Sequence, residues 1–149
     1  MHLPLPVSRG DAFELTEFLR SVDLTASGVG EPDVQLWVDL DVDGRIVGST
    51  GFELRGENAL LRGLAVHPSL RGAGRGTDLA RFALDQAGSL GARRAWVLSR
   101  RWAPFWANFG FEPADTTELA TVLADTHQVR ALTESRLLRY ETAWSRPLP

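Results

Sequence analysis

The chain of 149 residues contains no cysteine, and all sixteen of its basic residues are arginine. Without cysteine it can form no disulfide, no thiolate metal site and no cysteine nucleophile. Without lysine it cannot contain the triphosphate-binding loop, which ends in Gly-Lys-Ser/Thr. No apolar run approaches the roughly 20 residues that a membrane-spanning helix needs. These absences exclude enzymes with a cysteine nucleophile, proteins with a Gly-Lys-Ser/Thr triphosphate-binding loop and proteins with a membrane-spanning helix in this sequence.

Length, composition and charge indicate one globular domain, which we place at 1–149. The chain is 44% hydrophobic and 23% charged, and its net charge of −3 gives no general attraction to nucleic acid or to an anionic membrane. The first six residues show no basic segment followed by an apolar stretch, so no secretion signal is visible. We therefore expect a cytoplasmic protein with no nucleic-acid or membrane partner. The arginine bias, with Ile46 as the single isoleucine, is typical of a GC-rich bacterial genome.

Hydrophobic periodicity predicts alternating helices and strands. An Asp11-x-x-Glu14 capping box opens a helix over 11–22, and Asp43-Gly44 marks a tight hairpin between two strands. The predicted strands are 34–41, 45–54, 59–66, 95–99, one near Phe111 and 137–143, and the later helices are one ending near 90, then 103–109 and 118–125. This order is typical of an α/β domain with a mixed sheet.

A glycine-rich run lies between the strand that ends at Val66 and the helix that follows. It consists of Arg71, Gly72, Ala73, Gly74, Arg75, Gly76 and Thr77. A turn of this kind at a helix N-terminus presents free backbone N–H groups at the positive end of the helix dipole. Glycine permits positive φ and close approach of a ligand, and the arginines add charge. The run predicts an anion cradle for a nucleotide-like cofactor.

Two other ligand-binding patterns fail at single residues. The dinucleotide fingerprint needs a third glycine where Thr77 stands, and its strand should end directly before the turn. The acidic run 39–44 matches the opening of a calcium loop, but Thr50 stands where that loop needs a bidentate glutamate. We interpret the acidic run as a solvated hairpin turn.

The pattern Arg-x-x-Gly-x-Gly after Leu64-Ala65-Val66-His67-Pro68 resembles motif A of the GNAT superfamily of N-acetyltransferases, which binds acetyl-coenzyme A. The segment 105–111 resembles a later block of the same superfamily. The segments 59–66 and 135–138 are similar to a branch that contains N-acetylglutamate synthases and arsinothricin N-acetyltransferases. The resemblance implies a mixed, mostly antiparallel twisted sheet with splayed central strands, flanked by helices.

The resemblance also implies where acetyl-coenzyme A binds. Leu64, Ala65 and Val66 would contact the pantetheine arm, and the glycine-rich run would hold the diphosphate. A β-bulge, which we expect at Gly63, would part this strand from its neighbour at 95–99. Trp106 would be a wall of the acetyl pocket or part of the core. The reaction implied is direct attack of a neutral amine on the thioester in a ternary complex, with no metal.

The proton path departs from the family pattern. Trp106 stands where relatives carry a tyrosine acid, and an indole N–H cannot transfer a proton. Tyr140, the only tyrosine, is the remaining candidate acid if the final strand points it into the cleft. Leu60 stands where relatives often carry a glutamate base, which leaves Glu53 as a base acting through water.

Arg62 lies in an otherwise apolar central strand, where an arginine needs a carboxylate, a phosphate or a water-filled cleft. With Arg100 and Arg101 at the end of the adjacent strand, it could bind the carboxylates of an acidic amino acid, and Ser99 would be a minor hydrogen-bonding partner. The alternative is an internal salt bridge with Glu53 or Asp115.

The sequence leaves several functions open. The leading hypothesis is an acetyl-coenzyme A-dependent N-acetyltransferase whose acceptor is a small-molecule amine, an amino acid or an analogue of one. The alternatives are a non-catalytic acyl-coenzyme A-binding module and an enzyme that acts on protein amines. Exposure of Trp37, Trp102 or Trp144 would indicate a homodimer surface.

Overall fold

A computed structural model describes residues 3–149. Met1 and His2, which belong to the first six residues searched for a secretion signal, lie outside the described residues. The strands within that range are β1 (Leu5–Pro6), β2 (Val34–Leu40), β3 (Ile46–Arg55), β4 (Asn58–Val66), β5 (Arg94–Ser99), β6 (Glu112–Ala114) and β7 (Thr142–Pro147). The α-helices are α1 (Ala12–Ser21), α2 (Arg75–Ser89), α3 (Ala103–Asn108), α4 (Thr116–Val122) and α5 (His127–Glu134).

These strands form one mixed sheet in the order β1-β2-β3-β4-β5-β7-β6. Strands β4 and β5 are parallel, and the other neighbouring pairs are antiparallel. The mixed, mostly antiparallel sheet predicted from the sequence is thereby confirmed. The four strands from β2 to β5 begin and end within one residue of the predicted bounds.

Helices cover both faces of the sheet. On one face α2 packs Ala83, Leu84 and Ala87 against Phe52 and Val97. On the other face, α1 covers β2 and β3, and α4 and α5 cover β4, β5 and β7, in two further apolar clusters. Each fully buried large apolar side chain contributes roughly 1.5–3 kcal/mol. This burial holds β4 and β5 in the centre of the molecule.

The hairpin between β2 and β3 contains the acidic run that resembles a calcium loop. The Asp41 carboxylate accepts hydrogen bonds from the backbone N–H groups of Asp43 and Arg45, each at 2.9 Å. Gly44 adopts a φ of 80°, as a tight turn requires. The prediction of a hairpin turn is confirmed.

The C-terminal third differs from the prediction. The predicted helix 118–125 corresponds to α4, which begins and ends earlier, at Thr116 and Val122. Asp115 caps this helix, because its side chain accepts hydrogen bonds from the N–H groups of Thr117 and Glu118. A second helix, α5, follows it. The predicted strand 137–143 is wrong over its first half, because Leu138–Tyr140 forms a 3₁₀ turn after the left-handed Arg136. The final strand begins at Thr142.

The centre of the sheet is interrupted as the resemblance implied. Between β3 and β4, Thr50 faces both Gly63 and Leu64, and Gly63 has a φ of 67°. The Ser49 hydroxyl donates to the Gly63 carbonyl at 2.6 Å and fixes this bulge. Strand β4 pairs with β5 only from Asn58 to Leu61. Beyond that point the two strands part, and a slot opens toward their C-terminal ends.

Candidate active site

The glycine-rich run forms an open turn at the N-terminus of α2. Gly72 and Gly74 have φ values of 88° and 82°, which favour glycine, whereas a Cβ at either position would meet no atom within 4 Å. Within residues 3–149, no protein acceptor binds the backbone N–H groups of residues 72–77. The turn therefore presents a row of unpaired donors at the positive end of a 15-residue helix.

The two arginines of the turn are held beside these donors. Arg75 lies 3.0 Å from the Asp39 carboxylate. Arg71 donates from Nε to the Val66 carbonyl at 3.1 Å, and its guanidinium carbon lies 5.5 Å from the ring centroid of Trp102. Because Val66 ends β4 and Trp102 follows β5, the Arg71 side chain spans the open end of the slot.

The walls of the slot are apolar. Ala65 and Val66 are buried on β4, and Leu64 is half-buried. A Cβ at Gly76 would lie 3.9 Å from both Val66 and Phe105, so the start of α2 closely approaches β4 and α3. The slot is thus lined by backbone and hydrocarbon between the cradle and the bulge.

Trp106 packs in the apolar core beneath α2. It is 4% exposed and packs edge-on against Phe105 and Phe111, at centroid distances of 4.9 and 5.3 Å. Its indole N–H is buried and has no acceptor in the described part of the chain. Unpaired cradle amides and an unpaired buried donor are groups that a diphosphate and a thioester arm would satisfy. These residues fit acetyl-coenzyme A.

The structure contains the internal salt bridge that the sequence left open for Arg62. Arg62 Nη1 lies 3.0 Å from Glu53 Oε2, and both side chains are buried. The Glu53 carboxylate also accepts the N–H groups of His127 and Gln128, at 2.6 and 3.1 Å, while Arg62 Nη2 donates to the Thr25 carbonyl. Burial lowers the pKa of Arg62, and the charge of Glu53 opposes that shift. The Glu53 carboxylate has a structural task at the start of α5, and it is fully buried.

Two placements therefore need correction. The predicted base, Glu53, has both oxygens engaged inside the protein, so it does not meet the water-filled path that the prediction required. The predicted acid, Tyr140, lies in the 3₁₀ turn rather than on the final strand, and it is 55% exposed beside Arg139. Asp115, the other partner considered for Arg62, caps α4 instead.

The end of β5 carries the other predicted substrate residues. The Ser99 hydroxyl donates to the Arg101 carbonyl. Arg100 is half-exposed, and its Nε lies 3.6 Å from Glu141 Oε1. Glu141 was not predicted as a site residue, because 137–143 was placed in one strand and no local pattern marks the start of β7 at Thr142. Burial raises the pKa of Glu141, and the charge of Arg100 opposes this.

Other ligand and surface features are limited. Among residues 3–149, no group of three His, Asp or Glu side chains could hold a metal ion. None of the helices there is long and apolar enough to cross a membrane. Trp102 is 58% exposed, whereas Trp144 is buried.

The match to a family model covers residues 6–111, and its description is "Acetyltransferase (GNAT) family". An amino-acid acetyltransferase of Aeromonas salmonicida (strain A449) is 29% identical over 91 residues. That match covers 60% of this chain, which spans about a fifth of the length of the curated relative (21%). It supports the predicted amino-acid acetyltransferase resemblance.

Solved structures share the fold. Rv2747 of Mycobacterium tuberculosis, solved in complex with CoA, has a TM-score of 0.75 at 17% identity, over 96% of this chain and 97% of that chain. N-acetylglutamate synthase of Neisseria gonorrhoeae, complexed with coenzyme A and N-acetyl-glutamate, has a TM-score of 0.71 at 18% identity. That match covers 95% of this chain and 34% of the synthase chain. The family match confirms the predicted superfamily, the solved structures confirm the fold, and membership of an acetyltransferase family supports the predicted enzyme class and use of acetyl-coenzyme A.

Proposed function

The chain belongs to the acetyltransferase (GNAT) family, and we propose that it transfers acetyl from acetyl-coenzyme A to a small-molecule amine by direct attack in a ternary complex. The observation that carries this proposal is the continuity of cradle and slot. Unpaired amides at the start of α2 lead directly into the gap between β4 and β5. The unpaired amides would bind a diphosphate, and the gap between the strands would accept the narrow pantetheine arm that follows it.

The cofactor would be held by main chain more than by side chains. The N–H groups of residues 72–77 would bind the diphosphate, with Arg71 and Arg75 as adjacent charges. The strand edge from Leu64 to Val66 would bind the pantetheine arm, since no neighbouring strand occupies its β5 side. Next to the bulge, a main-chain N–H of this edge would stabilise the thioester oxygen as it becomes negative. Trp106 would shape the acetyl pocket.

We propose an amino acid or a close analogue as the acceptor. Arg100 offers a half-exposed guanidinium at the end of β5, and a planar guanidinium suits a carboxylate. Ser99 lies beside it. Similarity to the amino-acid acetyltransferase of Aeromonas salmonicida supports the same acceptor class.

The test is incubation with acetyl-coenzyme A and a panel of amines, with release of free thiol followed over time. The panel pairs each amino acid with its carboxamide, so that the contribution of the carboxylate is measured directly. We expect turnover with amino acids. Turnover only with peptide N-termini or protein lysines would contradict the acceptor class.

A second candidate function, a non-catalytic acyl-coenzyme A-binding module, is favoured by two observations. Trp106 has no transferable proton, and Glu53 is locked in a salt bridge. Coenzyme A binding without turnover on any amine would support this alternative. A single domain, a cytoplasmic location, a bacterial origin and a homodimer remain predictions.

A further inference from the structure

A second ion pair, Arg100 with Glu141, lies where β5 ends and β7 begins, next to the slot between β4 and β5. Leu98 of β5 and Ala143 of β7 pack in the apolar cluster on that face. Arg100 directly follows β5, two residues beyond Leu98, and Glu141 directly precedes β7, two residues before Ala143. The pairing of Ser99 with Thr142 places their backbones side by side.

This pair lies where the slot is open. Strands β4 and β5 stop pairing after Leu61 and Val97, and Arg100 directly follows the end of β5, three residues beyond Val97. Arg62 of β4 lies on the face that carries α4 and α5, but its Nη1 and Nη2 groups already donate to the Glu53 carboxylate and the Thr25 carbonyl. The Arg100–Glu141 pair is therefore the ion pair at this edge that retains contact with solvent, because Arg100 is 46% exposed.

The Glu141 carboxylate is placed for proton exchange. Its side chain is 11% exposed, and in the described part of the chain the only ion pair it makes is the one with Arg100, at 3.6 Å. A carboxylate that is partly removed from water is a stronger base than an exposed one. Burial raises the pKa of Glu141, as this environment requires.

Two other titratable groups near the slot, Glu53 and His67, are held by contacts within the protein. Glu53 is fully buried under Arg62 and the N-terminus of α5. His67, which follows β4, uses its ring Nδ1 with the hydroxyl and the N–H of Ser69. Glu53 cannot approach an amine in the slot without breaking these contacts.

We infer that Glu141 is the general base for the acceptor amine and that Arg100 holds the acceptor carboxylate beside it. This inference rests on the proposed function. The acceptor ammonium gives one proton to the Glu141 carboxylate, and the freed lone pair forms the C–N bond. The C–S bond then breaks with its electron pair on sulfur. The second nitrogen proton passes to the thiolate through solvent, and Glu141 returns its own proton to water.

Glu141→Gln tests the inference, with Glu134→Gln, at an exposed carboxylate on α5, as the matched control. At neutral pH we expect kcat of Glu141→Gln to fall by about 10²–10⁴-fold. The deficit should shrink as pH rises toward the pKa of the acceptor amine, because more of the amine is then already neutral. Thermal stabilisation by coenzyme A, which needs no base, should match that of the wild type.

Arg100→Gln gives an independent readout. We expect its KM to rise for an amino acid and to stay unchanged for the corresponding carboxamide. A Glu141→Gln variant with the same rate and pH profile as Glu134→Gln would overturn the role of Glu141 while leaving the proposed function intact. Failure of the wild type to acetylate any amine would overturn both.

Discussion

Arg62 and Glu53 form a fully buried ion pair, with 3.0 Å between Nη1 and Oε2, on neighbouring antiparallel strands. The same carboxylate accepts the first N–H groups of α5, and the same guanidinium holds the Thr25 carbonyl in the loop before β2. One pair thus ties two strands, a helix and a loop together on one face of the sheet. Its role in this structure is to hold that face in place.

Removing one partner of this pair should destabilise the protein strongly. Glu53→Gln leaves the charge of Arg62 buried without a counterion, so we expect the free energy of unfolding to fall by about 3–5 kcal/mol. Urea denaturation measures this, with Glu134→Gln as the control. The double variant Glu53→Met/Arg62→Met should recover part of the loss, because no unpaired charge of Arg62 is then left in the interior, although the N–H groups of His127 and Gln128 lose their acceptor. A Glu53→Gln variant as stable as the control would contradict the structural role.

The cradle and the sheet were predictable because each rests on local residue patterns. Alternation and the Asp43-Gly44 turn determine the β2–β3 hairpin, and glycines at positive φ determine the turn before α2. The bulge predicted at Gly63 is also present, because the bulge needs a residue that tolerates a φ of 67°.

The proton path was not predictable, because it depends on long-range contacts. Glu53 acquires its partners from α5, 74 residues away in sequence. The positions of the Tyr140 and Glu141 side chains depend on where the final strand begins. The chain first turns at the left-handed Arg136, and the strand begins only at Thr142. Neither feature has a signal within a short window of sequence.

Gly63→Ala should reduce both stability and coenzyme A binding. The left-handed φ disfavours a side chain by roughly 1–2 kcal/mol, and the new Cβ would lie 3.2 Å from Leu36 Cδ2. The backbone must then relax at the point where the slot begins. Gly56→Ala is the matched control, because Gly56 has a φ of 59° in the turn after β3, with open space around it. We expect both variants to lose stability and only Gly63→Ala to lose affinity for coenzyme A; equal affinities would contradict the role of the bulge.

Arg71→Ala should weaken coenzyme A binding by about tenfold or more, since a hydrogen bond to a charged group contributes about 1.5–3 kcal/mol. Isothermal titration at two salt concentrations measures the effect, and the salt dependence should become shallower in the variant. Arg130→Ala on α5 is the control, because it removes one arginine from a different part of the surface. The expectation fails if the two variants bind coenzyme A equally well.

The stability of the protein should depend on Asp33 in a defined pH window. The hydrogen bond from His127 Nε2, at 3.0 Å, holds the pKa of Asp33 below its ordinary value of 3.8. A carboxyl with a depressed pKa contributes stability above its ordinary pKa and loses that contribution as pH falls through the lowered value. We therefore expect Asp33→Asn to be less stable than the wild type at neutral pH, with the difference closing below pH 3.8. Urea denaturation across pH measures this, and Asp85→Asn, at an exposed site on α2, should show no such window.

The central claim is that the amides of residues 72–77 hold a diphosphate while the parted edge of β4 receives the thioester arm. A ¹H–¹⁵N spectrum titrated with coenzyme A tests it directly, with pantetheine as a second ligand that lacks the diphosphate. We predict that coenzyme A shifts the amides of residues 72–77 and of residues 64–66, and that pantetheine shifts only the second group. If coenzyme A leaves the amides of residues 72–77 unmoved, the claim is contradicted.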